Sequence, residues 1–540
     1  MAYWLRNLTL GCIVVLALLL RVYALDRLPV HLAIDEIANG YNAYTILSEA
    51  KDEWGVRLPF TFKSYDDYKP PVHIYAIVPF LAVFGNSELS VRLPIAIIGG
   101  LSVILIYVLA KRLKLGYSTA LFTSFLLAIS PWHIHFSRGT FEAVLALFFA
   151  LGGVAAFYLW IDKKGLNMAA LSATSFSLAV WSYHAQRLFV PLFVVFLFYI
   201  HRKSLLRLEF RTSLRSFIAT ATLFAVPLLH LATTTPAIST RAAATSILRD
   251  SILKSQLHQE FYANIGEQIF DNDIYLILQH WAGQYFGYFD ISFLFWDGLE
   301  LTLAGLPDMG LMYTPDLLLF ALGIFAIVTT KNKRLRQLAI GWGLLGPLPA
   351  SVTMNPQHPL RALVWLPFFI LTIGAGFELL WRSKHKLSKL VLVGYFGVLC
   401  LNAFYFTDIY TKQSPRLMSE FWQYGYKEIA LWACEHEGEY DNIYVSEAFG
   451  DFTQITGSPQ HYLGFYCKRD YLEFLRDPSV PGITIKRPFF PQDLKEHPNS
   501  VFIAAPWDFP IDKIDKERII KRQYFLNGKL SFIYVETDKR

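Results

Sequence analysis

The chain has 540 residues, of which 54% are hydrophobic and only 17% are charged, with a formal net charge of +6. An ordinary soluble domain carries about 25% charged residues, so this composition excludes a chain that is soluble throughout. The mean hydropathy is +0.35. Apolar runs recur from the N-terminus to about residue 407, whereas residues 408–540 contain no run near the ~20 apolar residues of a spanning helix. We therefore expect a polytopic α-helical membrane domain, residues 1–407, followed by a soluble α/β domain.

Lysine and arginine concentrate in clusters between the apolar runs, as at 111–114, 202–215 and 331–336. Short loops rich in these residues stay in the cytoplasm, and the chain between successive clusters has room for two crossings. The pattern predicts about eleven spans in the cytoplasmic membrane, with the N-terminus inside and the C-terminal domain exported. The spans are expected near 8–25, 93–110, 117–131, 141–161, 167–183, 188–200, 216–232, 315–330, 338–354, 362–381 and 390–407.

Two long segments are expected on the exported side, residues 26–91 and residues 233–314. Residues 72–84 are apolar but too short to span a bilayer. We interpret them as an amphipathic helix lying at the membrane interface, together with a second such helix near 35–50. Loops this long inside a compact domain are usually functional, so the search for chemistry starts there.

Asp35 and Glu36 follow the first apolar run directly. One interpretation is that they only open a helix, because acids in a first turn favour the positive end of its dipole. The other depends on position. Apolar Ala33, Ile34 and Ile37 flank the pair at the membrane edge, and partial desolvation can tune a carboxylate toward general-base work.

Lys69 precedes Pro70 and Pro71 in the same exported segment. It is either a lysine that snorkels at the head of an interfacial helix or a point charge that holds a phosphate. Asp66 and Asp67 lie just upstream and are weak candidates for pairing with Lys69 or for holding a metal.

Further charged and polar residues gather on the expected exported side. His133, His135 and Arg138, with Glu142, form a plausible anion site. Arg92 and Arg361 each start an apolar span, where snorkelling arginines also belong. The remaining candidates for substrate binding are Tyr68, His184, Arg187 and His358.

The order of these features resembles the GT-C glycosyltransferases of the protein O-mannosyltransferase and aminoarabinose transferase type. The resemblance rests on a first helix followed by Asp35-Glu36, on Lys69-Pro70-Pro71, and on Arg92-Leu93-Pro94 at the start of the next span. It is strongest over residues 10–160. Phe136-Ser137-Arg138 and His358-Pro359-Leu360-Arg361, each before a span, also look like this family.

The resemblance implies an inverting transferase at the outer face of the membrane. It would move a sugar from a polyprenyl-phosphate donor to a hydroxyl of a lipid, glycan or protein acceptor, with no nucleic-acid partner. Asp35 would be the catalytic base accompanied by Glu36, and Lys69, Arg138 and Arg361 would contact the donor phosphate. No cofactor is certain, and a divalent metal stays open.

The alternative function is a lipid or glycan transporter or flippase. Transporters usually place ionisable residues near the bilayer midplane and show internal repeats, whereas the charges here gather at one face. Cys434 and Cys467 both lie in the C-terminal domain, and the sequence leaves open whether they pair.

Overall fold

A computed structural model describes most of the chain. The described residues are 3–65, 67–234, 245–250, 253, 273–299, 302–354, 357–450, 457–470, 473–474, 482–486, 489–508 and 514–539. Much of the expected 233–314 loop, and Asp66, lie outside these ranges.

Helices dominate the first 417 residues. They are α1 (Tyr3–Val22), α2 (Ile34–Glu49), α3 (Pro71–Phe84), α4 (Glu88–Arg112), α5 (Tyr117–Ile129), α6 (Pro131–Arg138), α7 (Glu142–Lys163), α8 (Leu166–Ser182), α9 (Gln186–Leu205), α10 (Arg211–Thr234), α11 (Asp273–Gly287), α12 (Ile291–Phe295), α13 (Asp316–Thr329), α14 (Lys333–Leu345), α15 (Leu348–Ser351), α16 (Leu366–Arg382), α17 (Lys386–Asp408) and α18 (Ser414–Leu417). The C-terminal part contributes α19 (Tyr426–Glu435), α20 (Pro459–Cys467) and α21 (Asp493–Glu496). Its strands are β3 (Asn442–Ser446), β4 (Gly482–Lys486), β5 (Ser500–Ala504), β6 (Ile519–Tyr524) and β7 (Leu530–Glu536), and a hairpin before α3 adds β1 (Phe62–Ser64) and β2 (Asp67–Lys69).

Seven of the described helices are long and apolar enough to cross a membrane. They correspond to α1, α4, α7, α9, α10, α16 and α17, and α3, α5 and α13 are shorter apolar helices. The span expected at 338–354 is interrupted, because α14 ends at Leu345 and Pro347 precedes the short α15. Proline offers no backbone N–H to continue a helix, which explains the break.

The membrane part packs around α7. Buried residues make up 78% of the most apolar stretch of α7. This helix contacts both α4 and α8. The approach of α13 to α16 depends on missing side chains: a Cβ at Gly323 would overlap the carbonyl of Thr372, and one at Gly376 would overlap the carbonyl of Leu319. Small residues allow this closeness in membrane helix pairs.

The first exported segment folds as α2, the β1–β2 hairpin and α3. Both helices expected here are present, at Ile34–Glu49 and Pro71–Phe84. Pro71 occupies the first turn of α3, where its missing N–H costs nothing. In the hairpin, Phe62 pairs with Lys69 and Ser64 pairs with Asp67, so the turn brings Lys69 back toward α2.

The C-terminal domain is a five-stranded sheet in the order β4-β3-β5-β7-β6. Strand β3 is parallel to β4 and β5, while β7 is antiparallel to β5 and β6. Three of these strands follow the apolar runs of the sequence. The edge strands β4 and β6 do not: β6 reads Ile-Ile-Lys-Arg-Gln-Tyr, and its polar character suits an exposed edge.

The C-terminal domain covers α2. Tyr41 donates a hydrogen bond to the carbonyl of Arg469 at 3.2 Å, and Tyr462 donates one to the carbonyl of Leu32. A disulfide joins Cys434 of α19 to Cys467 of α20, so the two cysteines do pair. The face of α2 that the sequence suggests for the membrane interface is thus met largely by protein.

Candidate active site

Asp35 and Lys69 lie in contact. Asp35 is in the first turn of α2, and Lys69 ends strand β2 directly before the two prolines that start α3. The Lys69 ammonium donates to Oδ1 of Asp35 and lies 3.9 Å from Oδ2 of Asp67. The Lys69 side chain is only 9% exposed, while that of Asp35 is 55% exposed. The buried ammonium of Lys69 therefore contacts a carboxylate, that of Asp35, which is accessible to solvent or to a substrate.

The charge of Lys69 is secured by its neighbours. Burial lowers the pKa of its ammonium, but the carboxylates of Asp35, Glu142 and Asp67 outweigh burial and leave the pKa raised above its usual value. Glu142, at the start of α7, thus belongs to the same electrostatic cluster. At neutral pH the site holds a full positive charge beside Asp35.

A cavity of about 440 Å³ is linked to this pair through neighbouring residues, although neither Asp35 nor Lys69 lines it. His184 connects the two, because its Nε2 is hydrogen-bonded at 3.0 Å to the carbonyl of Tyr68, the residue before Lys69. His184, Arg187 and Arg361 all line the cavity. Arg187 is within electrostatic range of Asp67, and Arg361 donates to the hydroxyl of Thr353 at 2.7 Å. A cavity with two guanidinium groups in its wall suits an anion.

Glu36 lies on a different side of α2 from Asp35. Arg92 donates from Nε and Nη2 to the two oxygens of Glu36, both at 2.9 Å, in a bidentate pair. Glu36 also accepts from the backbone N–H of Ala33 and of Thr140, each at 2.9 Å. Arg92 further donates to the carbonyls of residues 25, 29 and 31. These bonds favour an architectural role for Glu36 and Arg92 rather than substrate contact.

Arg138, His133 and His135 are buried apart from the Asp35–Lys69 pair. Arg138 donates to the carbonyls of residues 20, 23 and 28. His133 is hydrogen-bonded at 2.8 Å to Arg21, a fully buried arginine that also donates to the carbonyls ending α5. His135 is hydrogen-bonded to the carbonyl of Leu303. The structure does not unite these residues with Lys69 in one phosphate site.

The remaining predicted residues are His358, considered for substrate binding, and Asp67, considered for a metal. His358 donates its backbone N–H to the Tyr288 hydroxyl at 3.0 Å, and Arg361 lies within electrostatic range of that tyrosine. Asp67 is poorly placed to bind a metal ion, because the positive charges of Lys69 and Arg187 lie beside it and would repel a metal cation. In the part of the chain that the structure describes, one trio could hold a metal ion; it comprises Asp493, Glu496 and His497 of the C-terminal domain.

A polar network that the sequence did not predict joins the C-terminal domain to the segment between α2 and β2. His461 Nε2 lies 2.7 Å from Oε2 of Glu53, and its Nδ1 is hydrogen-bonded at 2.8 Å to Ser458. Tyr65 donates to Ser458 at 2.6 Å and reaches the carbonyl of Ile34, next to Asp35. More than 390 residues separate Tyr65 from Ser458, so no local pattern signals the contact. We call these four side chains, Glu53, His461, Ser458 and Tyr65, the latch.

Comparison with known proteins identifies a partial family match and a shared fold. Residues 68–243 match the family described as dolichyl-phosphate-mannose-protein mannosyltransferase. The structure of ArnT from Cupriavidus metallidurans in the apo state superposes with a TM-score of 0.54 at 13% identity, covering 97% of each chain. The chain has the GT-C glycosyltransferase fold. This confirms, at the level of fold, the resemblance that the sequence indicates.

The same ArnT bound to undecaprenyl phosphate matches with a TM-score of 0.53 at 12% identity, again over 97% of each chain. The archaeal oligosaccharyltransferase AglB from Archaeoglobus fulgidus, in complex with an inhibitory peptide and a dolichol-phosphate, matches with a TM-score of 0.51 at 14% identity. That alignment covers 86% of this GT-C chain but 64% of AglB, so the chain spans less than two thirds of the archaeal protein. A comparison with curated protein sequences finds no match.

Proposed function

We propose that this GT-C chain is an inverting glycosyltransferase that uses a polyprenyl-phosphate-linked sugar. The observation that carries the proposal is the exposed carboxylate of Asp35 held against buried Lys69, beside a cavity lined by Arg187 and Arg361. The solved structures of similar fold, one with undecaprenyl phosphate and one with a dolichol-phosphate, support a lipid-phosphate ligand.

The proposed step is a single displacement at the anomeric carbon. The acceptor hydroxyl gives its proton to Asp35 while its oxygen forms a bond to that carbon. The bond from the anomeric carbon to the phosphate oxygen breaks, and its electron pair leaves with the lipid phosphate. Lys69, together with the cavity arginines, stabilises the charge on the leaving phosphate. One displacement inverts the configuration of the sugar.

The proposed orientation places this site and residues 408–540 outside the cytoplasmic membrane. The Cys434–Cys467 disulfide supports it, because disulfides persist in oxidising compartments and are rare in the cytoplasm. The same orientation follows from the lysine and arginine clusters. A soluble reporter fused after residue 540 should therefore be active only on the exported side.

The chemistry is tested with the full-length protein in liposomes and a panel of polyprenyl-phosphate sugars, chosen from the glycolipid that accumulates when the protein is removed from cells. Asp35→Asn should lower the transfer rate by about 10²–10⁴-fold while the protein stays folded, because Asp67 and Glu142 still offset the charge of Lys69. Asp26→Asn, which changes an exposed acid paired with Arg27, should keep the wild-type rate. Full transfer by Asp35→Asn would contradict the assigned base. Donor translocation without transfer, equal in both variants and the wild type, would favour a flippase.

A further inference from the structure

The loop between α2 and β1, residues 50–61, exposes large apolar side chains at alternate positions. Trp54 is 46% exposed, Val56 52%, Leu58 53% and Phe60 64%. Single exposed apolar residues are common on protein surfaces, but a contiguous group marks an interaction site. We call this segment the apolar loop.

The charges of the apolar loop are sorted by sign. Its two acids, Asp52 and Glu53, are 5% and 6% exposed and face the protein. The basic residues Lys51, Arg57 and Lys63, in the loop or just after it, are all exposed. The outer surface therefore combines apolar side chains with three positive charges. The exposed acid just before the loop, Glu49, lies 4.0 Å from the Lys51 ammonium and offsets part of that one charge.

Hydrogen bonds fix the loop in this shape. Asp52 accepts from the backbone N–H of Trp54 at 3.0 Å and of Val56 at 2.8 Å. The N–H of Leu58 donates to the carbonyl of Ala50 at 3.1 Å. With these backbone groups paired internally, the loop can enter an apolar medium without leaving them unsatisfied.

The loop packs against the last turn of α8, which contacts a candidate membrane span. The ring of Phe60 is 6.2 Å from that of Trp181, in the last turn of α8. Trp181 in turn donates to the carbonyl of Phe224 in α10, one of the seven candidate spans. Tyr75 of α3 donates to the carbonyl of Pro59 at 2.9 Å and holds the base of the loop. The apolar surface of the loop is thus continuous with the last turn of α8 and, through Trp181, with the middle of α10.

We propose that the apolar loop inserts into the outer leaflet of the bilayer and binds anionic lipid headgroups through Lys51, Arg57 and Lys63. Apolar side chains at headgroup level with flanking cations are the pattern of interfacial membrane anchors. A second copy of the chain is a poorer occupant, because the same three cations would oppose each other across a symmetric contact. The proposal does not depend on the transferase chemistry, since lipid contact is measured directly.

The test uses full-length protein in nanodiscs. Cys12 and Cys400, the free cysteines of the described chain, are replaced by serine, and Val56→Cys carries an environment-sensitive fluorophore. The matched control is Asn527→Cys in the exposed turn before β7. In discs rich in phosphatidylglycerol, we expect a blue-shifted emission at position 56 and quenching by shallow spin-labelled lipid that is several times the quenching at position 527.

Two further measurements fix the partner. Lys51→Glu combined with Arg57→Glu should reduce lipid quenching at position 56 in phosphatidylglycerol discs and leave it unchanged in phosphatidylcholine discs. A label at position 56 that iodide quenches from water as readily as the label at position 527 would overturn the proposal. So would cross-linking of the unlabelled Val56→Cys variant between two copies of the chain in place of lipid contact.

Discussion

The two faces of α2 carry neighbouring acids that meet different surroundings. On one face Asp35 is 55% exposed and its partner Lys69 comes from a hairpin. On the other, Glu36 is 3% exposed and lies within a bidentate pair with Arg92. Successive residues of a helix point about 100° apart, so one residue step separates an exposed surface from a packed one. Adjacent acids in a sequence need not share a role.

The largest expected effect concerns the packed face. Glu36→Gln should lower the free energy of unfolding by about 3–5 kcal/mol, because it leaves Arg92 buried with no opposing charge. The fall would be measured as a lower melting temperature of the full-length protein in detergent. Glu36→Gln combined with Arg92→Gln should lose less than the sum of the two single variants. Strict additivity would mean that the two side chains do not act as a pair.

The exposed face should respond in activity instead. Lys69→Ala should lower transfer by about 10²–10³-fold, as expected for loss of one group that stabilises a leaving anion, with a small change in melting temperature. The dependence on donor concentration should change more than the dependence on acceptor concentration. Lys412→Ala, which removes an exposed lysine paired with Asp408, is the control. Equal changes for donor and acceptor would argue against a phosphate contact.

The latch extends the comparison, since it ties the C-terminal domain to the segment that follows α2. His461→Ala and Glu53→Gln should each lower the free energy of unfolding by about 1–3 kcal/mol, because each leaves a buried polar partner without its hydrogen bond. Hydrogen exchange of α2 and limited proteolysis of the C-terminal domain would show the loosening. Glu473→Gln, at an exposed pair with Arg469, should change neither, and an equal effect there would remove the latch from the explanation.

The smallest effect is a dependence on pH. Burial lowers the pKa of His31 below 6.5, and Arg92 adds to this, while Glu428 and Glu88 oppose it. His31 Nε2 accepts the N–H of Lys427, so the docked ring is neutral. The unfolded chain binds a proton near pH 6.5 that the folded chain does not, and stability is therefore lost as the pH falls below 6.5. His31→Gln should flatten this part of the profile of melting temperature against pH. An unchanged slope would mean that a group other than His31 causes the loss of stability.

Sequence reasoning identified local features well. The helices at 35–50 and 71–84 and three strands of the C-terminal sheet are where apolar pattern, proline and glycine placed them. The proximity of Asp35 and Lys69 followed from their position in one loop and from the family resemblance. In each case, the residues that carry the information lie within a few dozen positions of one another in the chain.

The partners of buried charges were not predictable in this way. In the sequence, Arg138 is a candidate phosphate ligand and Arg92 a candidate for substrate binding, since each lies near a span at the expected exported face. Their donors are instead occupied by backbone carbonyls between residues 20 and 31, at the end of α1 and just after it, and, for Arg92, by Glu36. Such assignments depend on which way a side chain points, and neither composition nor spacing carries that information. The latch was missed for the related reason that its halves are far apart in the chain.

The cover over α2 has a consequence for biogenesis. Tyr41 and its partner Arg469 are separated by 428 residues, so the helix is synthesised long before the segment that buries it. At about 5–20 residues per second, ribosomes need roughly 20–90 s to make that segment. During this interval the apolar surface of α2 that the C-terminal domain later covers is exposed to lipid, chaperones and proteases. Chains that terminate before α20 would retain their spanning helices yet never shield α2, and quality-control proteases would be expected to remove them.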